Sequence, residues 1–279
     1  MKSHQGTARS AVCSIGILVS AILSSCTVQS SISNRYLTAE KLWTEKNYTA
    51  AVTEFDRIVK ENPNSTIGLQ ALWRASMTRT LFLNQQDVAL QGFETFLERA
   101  SSSELAPEAQ KEIGDIYYNK LNQYSKAIDV YQRMIDSKKF SPDDEAMFLF
   151  RIARAYFLTG RLKKAIEIEE SFSSRYPKSP LNKKITLELA NAWYALGDAD
   201  KLAYPKALKL YEDLGKATEG KDPGLYLDAR FGQAATLEEL DRLEDAYDIF
   251  TSIESTYPAP NVVKIRMIRL EERMSKKRK

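Results

Sequence analysis

The fold is decided by one stretch, residues 146–177, which reads AMFLFRIARAYFLTGRLKKAIEIEESFSSRYP. Two small residues, Ala153 and Ala165, stand twelve positions apart within it, and Phe172 follows Ala165 at the spacing of one helix face. Small residues at this spacing let two neighbouring helices approach each other closely. The stretch therefore predicts a pair of packed helices that is closed by Pro177.

The same pattern recurs along the chain. Six alanines, spaced 38 to 42 residues apart, are each followed by bulky side chains four and seven residues later. These alanines are Ala51, Ala89, Ala127, Ala165, Ala207 and Ala246. The fourth copy departs from the others, because Glu169 stands where they carry an aromatic residue four positions after the alanine. Each copy predicts one helical pair that can bury its apolar stripe only against its neighbours.

This pattern resembles the tetratricopeptide repeat. Residues 146–177 match the consensus of that repeat without a gap, at Ile152, Ala153, Tyr156, Gly160, Leu162, Ala165, Phe172 and Pro177. The resemblance implies an all-α fold in which about six helical hairpins, residues 35–260, stack into one right-handed superhelix without independent domains. Residues 261–279 are expected to form a polar, basic C-terminal capping helix.

The first 25 residues have the composition of an export signal. Basic residues precede an apolar stretch, residues 11–23, that is too short for a spanning helix of roughly 18 or more residues. The next residues, LSSC at 23–26, resemble the lipobox of bacterial lipoproteins. This resemblance implies cleavage before Cys26 and attachment of acyl chains such as palmitate to it. It also implies sorting to the outer membrane, because Thr27 rather than aspartate follows, and residues 26–34 are then a flexible tether.

Such processing would remove most of the reactive side chains. The only histidine, His4, and one of the two cysteines, Cys13, precede Cys26. The remaining chain could not carry out Ser-His or Cys-His catalysis, bind zinc through His or Cys, or form a disulfide. Carboxylate pairs such as Glu271 and Glu272 remain, but in a charged helical protein they are usually a solvated face. We therefore expect a protein that is not an enzyme and that needs no cofactor or metal.

Positive charge is concentrated near the carboxyl end. The whole chain has a formal net charge of +3, but residues 264–279 hold eight Lys or Arg against two Glu. The simplest interpretation is a soluble helix end whose cations suit the helix dipole. Docking to an acidic partner or to anionic headgroups is the alternative. Because the rest of an exported chain is acidic, nucleic acid is a poor candidate partner.

Lipidation, the repeat length and the junction RYPKSP at 175–180 together resemble the outer-membrane lipoproteins of the BamD type, which belong to the β-barrel assembly machinery. The resemblance implies a non-enzymatic scaffold at the periplasmic face that binds the barrel insertase and unfolded barrel precursors. Six repeats stand against the usual five, and an insertion around residues 198–204 separates repeats four and five. A pilotin-like lipoprotein and a Tol-Pal or peptidoglycan-associated adaptor therefore stay open as alternatives.

The repeat phase also predicts a binding surface. If Ala39, Ala153 and their equivalents face the second helix of each pair, the positions three before and one after them turn onto the concave side. Those positions and the residues one turn further on include Tyr36, Trp43, Arg74, Phe82, Tyr118, Phe150, Arg154, Phe157 and Tyr194. This set is richer in aromatic residues than a merely solvated surface requires.

The expected ligand of this groove is an extended peptide that contains aromatic residues, such as the terminal segment of an unfolded barrel protein. Arg74 or Arg154 would be available for a carboxylate. The alternative is that several of the aromatic residues, above all Trp43, Phe82 and Phe157, only pack between adjacent repeats.

Overall fold

The computed structural model describes residues 32–277, and all regular structure within that range is helical. The first helix, α1, covers residues 32–44 of this range. The others are α2 (Tyr48–Glu61), α3 (Thr66–Thr78), α4 (Gln86–Arg99), α5 (Ala106–Asp115), α6 (Tyr124–Ser137), α7 (Pro142–Leu158), α8 (Leu162–Arg175), α9 (Asn182–Leu196), α10 (Ala203–Thr218), α11 (Pro223–Glu239), α12 (Leu243–Ile253) and α13 (Pro260–Lys277). No helix in this part of the chain is long and apolar enough to cross a membrane.

The all-α prediction is confirmed, since all regular structure in the described residues is helical. Helices α1 to α12 correspond to the six predicted hairpins, and α13 corresponds to the predicted capping helix. The predicted signal peptide and Cys26 lie outside the described residues. The predicted tether, residues 26–34, is too long by three residues, because residues 32–34 are already part of α1. Ile32 is only 7% exposed and packs into the apolar cluster of the first hairpin. This burial explains why the helix begins before the predicted end of the tether.

Several helices begin at a polar residue that caps their free N–H groups. Ser141 precedes α7, and its hydroxyl accepts a hydrogen bond of 3.1 Å from the N–H of Asp144. Pro142 then occupies the first helical position, where no N–H is needed. Asn47, Ser65 and Asp222 cap α2, α3 and α11 in the same way. These caps fix where the helices of the repeats start.

The helices form two compact units, divided between Leu121 and Asn122, where the sequence predicts a single stack. The division falls inside the third predicted repeat, between its two helices. The first unit contains α1 to α5, and its core includes Phe55 and Ile58, which are fully buried. Helices α3 and α5 each continue into a π-helical turn, at Arg79–Leu83 and Ile116–Lys120.

The second unit contains α6 to α13, with each helix packed against the next. The repeat alanines of this unit, Ala127, Ala165, Ala207 and Ala246, are all fully buried, as the repeat phase predicts. The C-terminal helix α13 packs through Val263 and Leu270, which are also fully buried. Its opposite face is not purely polar, because it exposes three apolar residues, Val262, Ile265 and Ile268.

Candidate functional site

The second unit contains a cavity of about 620 Å³, within the range of roughly 300–1,000 Å³ that is usual for ligand sites. Its walls are formed mainly by α7, α9 and α11, each of which is the first helix of a repeat. On α7 it is lined by Phe150 and Arg154, and on α9 by Leu187 and Asn191, among others. The first helices bring these side chains together because α9 contacts both α7 and α11.

Aromatic rings form much of the cavity wall. They belong to Phe150, Tyr194, Tyr211, Phe231 and Tyr257. Phe231 and Tyr257 are stacked, with ring centroids 4.8 Å apart and ring planes at 14°. The Tyr211 hydroxyl donates a hydrogen bond of 2.7 Å to Oδ1 of Asn191, which fixes the ring of a residue that is only 2% exposed. The cavity therefore offers several fixed apolar surfaces to a ligand.

Two of the cations in the wall already have partners within the chain. Arg154 forms an ion pair with Glu188 of α9, and Arg266 of α13 donates a hydrogen bond of 2.9 Å to Glu238. The side chains of Lys184 and Asp228, by contrast, have no ion pair or hydrogen bond within residues 32–277. The cavity thus presents one unpaired cation and one unpaired carboxylate to a ligand.

The two carboxylates of the wall differ in exposure, because Glu188 is partly buried and Asp228 is exposed. Burial raises the pKa of Glu188, while the positive charge of Arg154 opposes this rise. Burial also raises the pKa of Asp228, and the nearby charge of Asp222 adds to the effect. The same cause raises the pKa of the Tyr194 and Tyr211 hydroxyls. A charged ligand group would therefore meet Glu188 in a surrounding that is less polar than bulk water, and attraction between charges is stronger in such a surrounding.

A buried acid, Glu169 of α8, lies near this wall. Its side chain is 2% exposed, and neither carboxyl oxygen has a hydrogen-bond partner among the described residues. Burial raises the pKa of Glu169 to about 8, and the charge of Glu188 contributes to the rise. Glu169 is the residue that stands in place of the usual aromatic, so the departure from the repeat pattern leaves a protonated carboxyl inside the fold at neutral pH.

The residues predicted for the groove fall into two sets, one in each unit. In the second unit Phe150, Arg154 and Tyr194 line the cavity. Phe157 lies two turns after Phe150 on the same helix, is partly buried, and is not among the residues that line it. Arg154, which the sequence suggests for a ligand carboxylate, is already paired with Glu188.

In the first unit the predicted residues mainly contact one another. Trp43 donates a hydrogen bond of 3.1 Å to the hydroxyl of Thr78, and its ring packs edge-on against Phe82. Arg74 lies over the Trp43 ring at 4.6 Å and donates two hydrogen bonds, of 2.7 and 2.6 Å, to Glu40. Packing inside the first unit therefore explains much of this set of predicted residues.

Two further predicted residues of the first unit lie close to helix contacts. Tyr36 is partly buried, and its ring lies 5.5 Å from that of Phe55. Tyr118 is on the π-helical turn that follows α5 and is partly buried. Both rings are therefore partly covered by their own unit.

Sequence reasoning missed several lining residues that its own rule could have found. The positions three before and one after Ala190 are Leu187 and Asn191, and those around Ala234 are Phe231 and Ala235. All four line the cavity. Tyr211 and Tyr257 lie outside this rule, because they come from the second helix of a repeat and from the segment after α12. Only the folded chain brings them to the first helices.

The comparisons with known proteins agree with this architecture. A family model of the tetratricopeptide repeat matches residues 81–144 and 120–180. The chain has a tetratricopeptide fold. No curated protein sequence matches it significantly.

The solved structures that are similar to this fold include two that cover three quarters or more of the chain. One is PilW, a widely conserved type IV pilus biogenesis factor, at 13% identity and a TM-score of 0.53, covering 83% of this chain and 97% of PilW. The other is YrrB, a tetratricopeptide protein with an unusual peptide-binding site, at 17% identity and a TM-score of 0.50, covering 75% of this chain and 95% of YrrB. At these identities the likeness concerns the fold.

Proposed function

We propose that this tetratricopeptide protein is a non-enzymatic adaptor that binds an extended peptide segment of another protein in the cavity of its second unit. One observation carries the proposal: the same two positions on α7, α9 and α11 converge on a single cavity of about 620 Å³ with aromatic walls. A groove built from successive repeats suits an extended chain, because each repeat can contact the next few residues of the ligand. Fixed aromatic rings are the side chains that most often dominate such binding.

We also propose a more specific role in the bacterial envelope, on the basis of two sequence motifs. The LSSC motif supports a lipid anchor at Cys26 on the periplasmic face of the outer membrane, and the RYPKSP junction supports a role in β-barrel assembly. In this role the protein holds the barrel insertase and receives unfolded barrel precursors. A pilotin-like role is the alternative, and a Tol-Pal or peptidoglycan-associated adaptor is a third role of the same kind. All three roles use a binding surface and no catalytic group.

The peptide-binding proposal is tested by titrating a peptide from the terminal segment of an outer-membrane barrel protein into the wild-type chain and into Phe150→Ala. We expect Phe150→Ala to weaken binding by about 2 kcal/mol, because it removes an aromatic wall of the cavity. Phe157→Ala is the matched control, since it removes the same side chain from the same helix outside the cavity. Equal affinities for the wild type and Phe150→Ala would place the site elsewhere.

The role in assembly is tested separately. The lipidated protein is purified from membranes under mild detergent, and the proteins that accompany it are identified. Recovery of the barrel insertase supports the role in barrel assembly. Recovery of a secretin or of peptidoglycan-associated proteins in its place rejects that role in favour of the corresponding alternative.

A further inference from the structure

One carboxylate in the cavity wall differs from the other acids around it. Glu188 is paired with Arg154, and Glu238 is paired with Arg266 and Arg273. Asp228 of α11 has no such partner among the described residues, although it lines the same cavity. The unpaired cation of the wall, Lys184, does not form an ion pair with it. An unpaired carboxylate in a cavity wall is a group that a ligand of opposite charge can satisfy.

The surroundings of Asp228 are aromatic. Phe231 lies three residues later, on the same face of α11, and its ring is stacked on that of Tyr257 at 4.8 Å. Burial raises the pKa of Tyr257, and the nearby charge of Asp228 adds to the rise. Both rings line the cavity beside Asp228. This end of the cavity thus combines one negative charge with a flat aromatic surface.

We propose that Asp228 and the stacked rings of Phe231 and Tyr257 form a subsite for a basic side chain, arginine or lysine, of the bound peptide. The carboxylate pairs with the cationic head, and the rings cover the apolar stem and attract the charge through their faces. Arginine fits best, since its planar guanidinium can stack on a ring and donate to a carboxylate at the same time. The inference rests on the proposed peptide-binding function and adds a charge preference to it.

A cation suits this subsite better than the ligands that the sequence suggests. A terminal carboxylate would meet the negative charge of Asp228 here, and Arg154 is occupied by Glu188. A metal ion would need several oxygen or nitrogen ligands, whereas no group of three or more His, Cys, Asp or Glu side chains suited to a metal occurs within residues 32–277. A basic side chain satisfies Asp228 with one group.

The test uses two acetylated and amidated pentapeptides, Phe-Gly-Arg-Gly-Phe and the same peptide with citrulline in place of arginine. Citrulline keeps the shape of the side chain but removes its charge, so the pair isolates the contribution of the cation. Each peptide is titrated by calorimetry into the full chain in detergent, as wild type, as Asp228→Asn and as Asp248→Asn. Asp248 is an exposed aspartate on α12 outside the cavity and serves as the matched control.

We expect the wild type and Asp248→Asn to bind the arginine peptide about tenfold more tightly than the citrulline peptide, which corresponds to about 1.4 kcal/mol. In Asp228→Asn this preference should disappear, while the citrulline peptide binds as before. Equal binding of the two peptides by the wild type overturns the cationic subsite but leaves the peptide-binding function intact. Binding of neither peptide overturns both, and a preference that survives in Asp228→Asn rejects Asp228 as its cause.

Discussion

The backbone of Gly232 in α11 lies directly against the ring of Tyr211 in α10. A Cβ added at Gly232 would come within 2.3 Å of Cε1 of that ring and 2.4 Å of its Cζ. Tyr211 in turn holds Asn191 by a hydrogen bond of 2.7 Å, and all three residues line the cavity. A glycine in the middle of a helix thus determines how closely two helices meet and where an aromatic wall of the cavity stands.

We expect Gly232→Ala to destabilise the protein by about 1 to 3 kcal/mol, although alanine favours a helix more than glycine does. The new methyl group must displace a ring that is 2% exposed and is held by its hydrogen bond to Asn191. Gly215→Ala is the control, because its Cβ would meet only Cδ of Arg230, at an ordinary 3.6 Å. It should raise stability by up to about 1 kcal/mol. Urea unfolding measures both, and a stable Gly232→Ala variant would contradict the close contact.

The packing of a repeat alanine gives a second prediction. Ala165 is fully buried, so Ala165→Leu should overpack the repeat and lower stability by about 1 to 3 kcal/mol. Lys163→Leu, at an exposed position of the same helix, adds the same side chain without filling the core. Thermal unfolding distinguishes the two. An unchanged midpoint in Ala165→Leu would mean that the assigned repeat phase is wrong.

The buried carboxyl of Glu169 makes stability depend on pH. Its pKa is raised from the usual value of 4.5 to about 8 in the folded chain. Below about pH 4.5 the carboxyl is protonated in both the folded and the unfolded states, so ionisation of Glu169 does not lower the free energy of unfolding there. As the pH rises from about 4.5 towards 8, the unfolded state ionises first, and the free energy of unfolding falls by up to about 1.4 kcal/mol per pH unit.

We expect Glu169→Gln to flatten this decline between about pH 5 and pH 8, because glutamine cannot ionise. The measurement is urea unfolding at several pH values in this window. Glu170→Gln changes the neighbouring exposed acid and should retain the decline of the wild type. Identical profiles for the wild type and Glu169→Gln would show that the carboxyl is not protonated in the fold.

The proposed lipid anchor is tested by Cys26→Ser. Without acyl chains, the only strongly apolar segment is the export signal itself, so the variant should be found unprocessed or in the soluble fraction. Cys13→Ser, in the export signal, leaves the attachment site intact and should stay in the outer membrane. A Cys26→Ser protein that is cleaved normally and sediments with outer membranes would reject the lipoprotein proposal.

The sequence by itself determined the class of fold and the phase of its repeats. Small residues such as Ala153 and Ala165 at fixed spacing require two helices in close contact, and this local constraint is readable without a structure. The same phase placed Phe150 and Arg154 on the cavity wall, and applied to Ala234 it also finds Phe231. These positions follow from the regular geometry of a helix, which depends only on residue number.

Only the tertiary structure decided which of these side chains remain available to a ligand. Arg74 occupies the repeat position of Phe150, and Trp43 that of Phe157, yet contacts inside the first unit engage both Arg74 and Trp43. The structure also placed Tyr211 in the cavity wall and left Asp228 without a partner among the described residues. The physical reason is that ion pairs, ring stacking and close helix contacts join residues far apart in the chain, and their energies depend on distances that a repeat pattern does not contain.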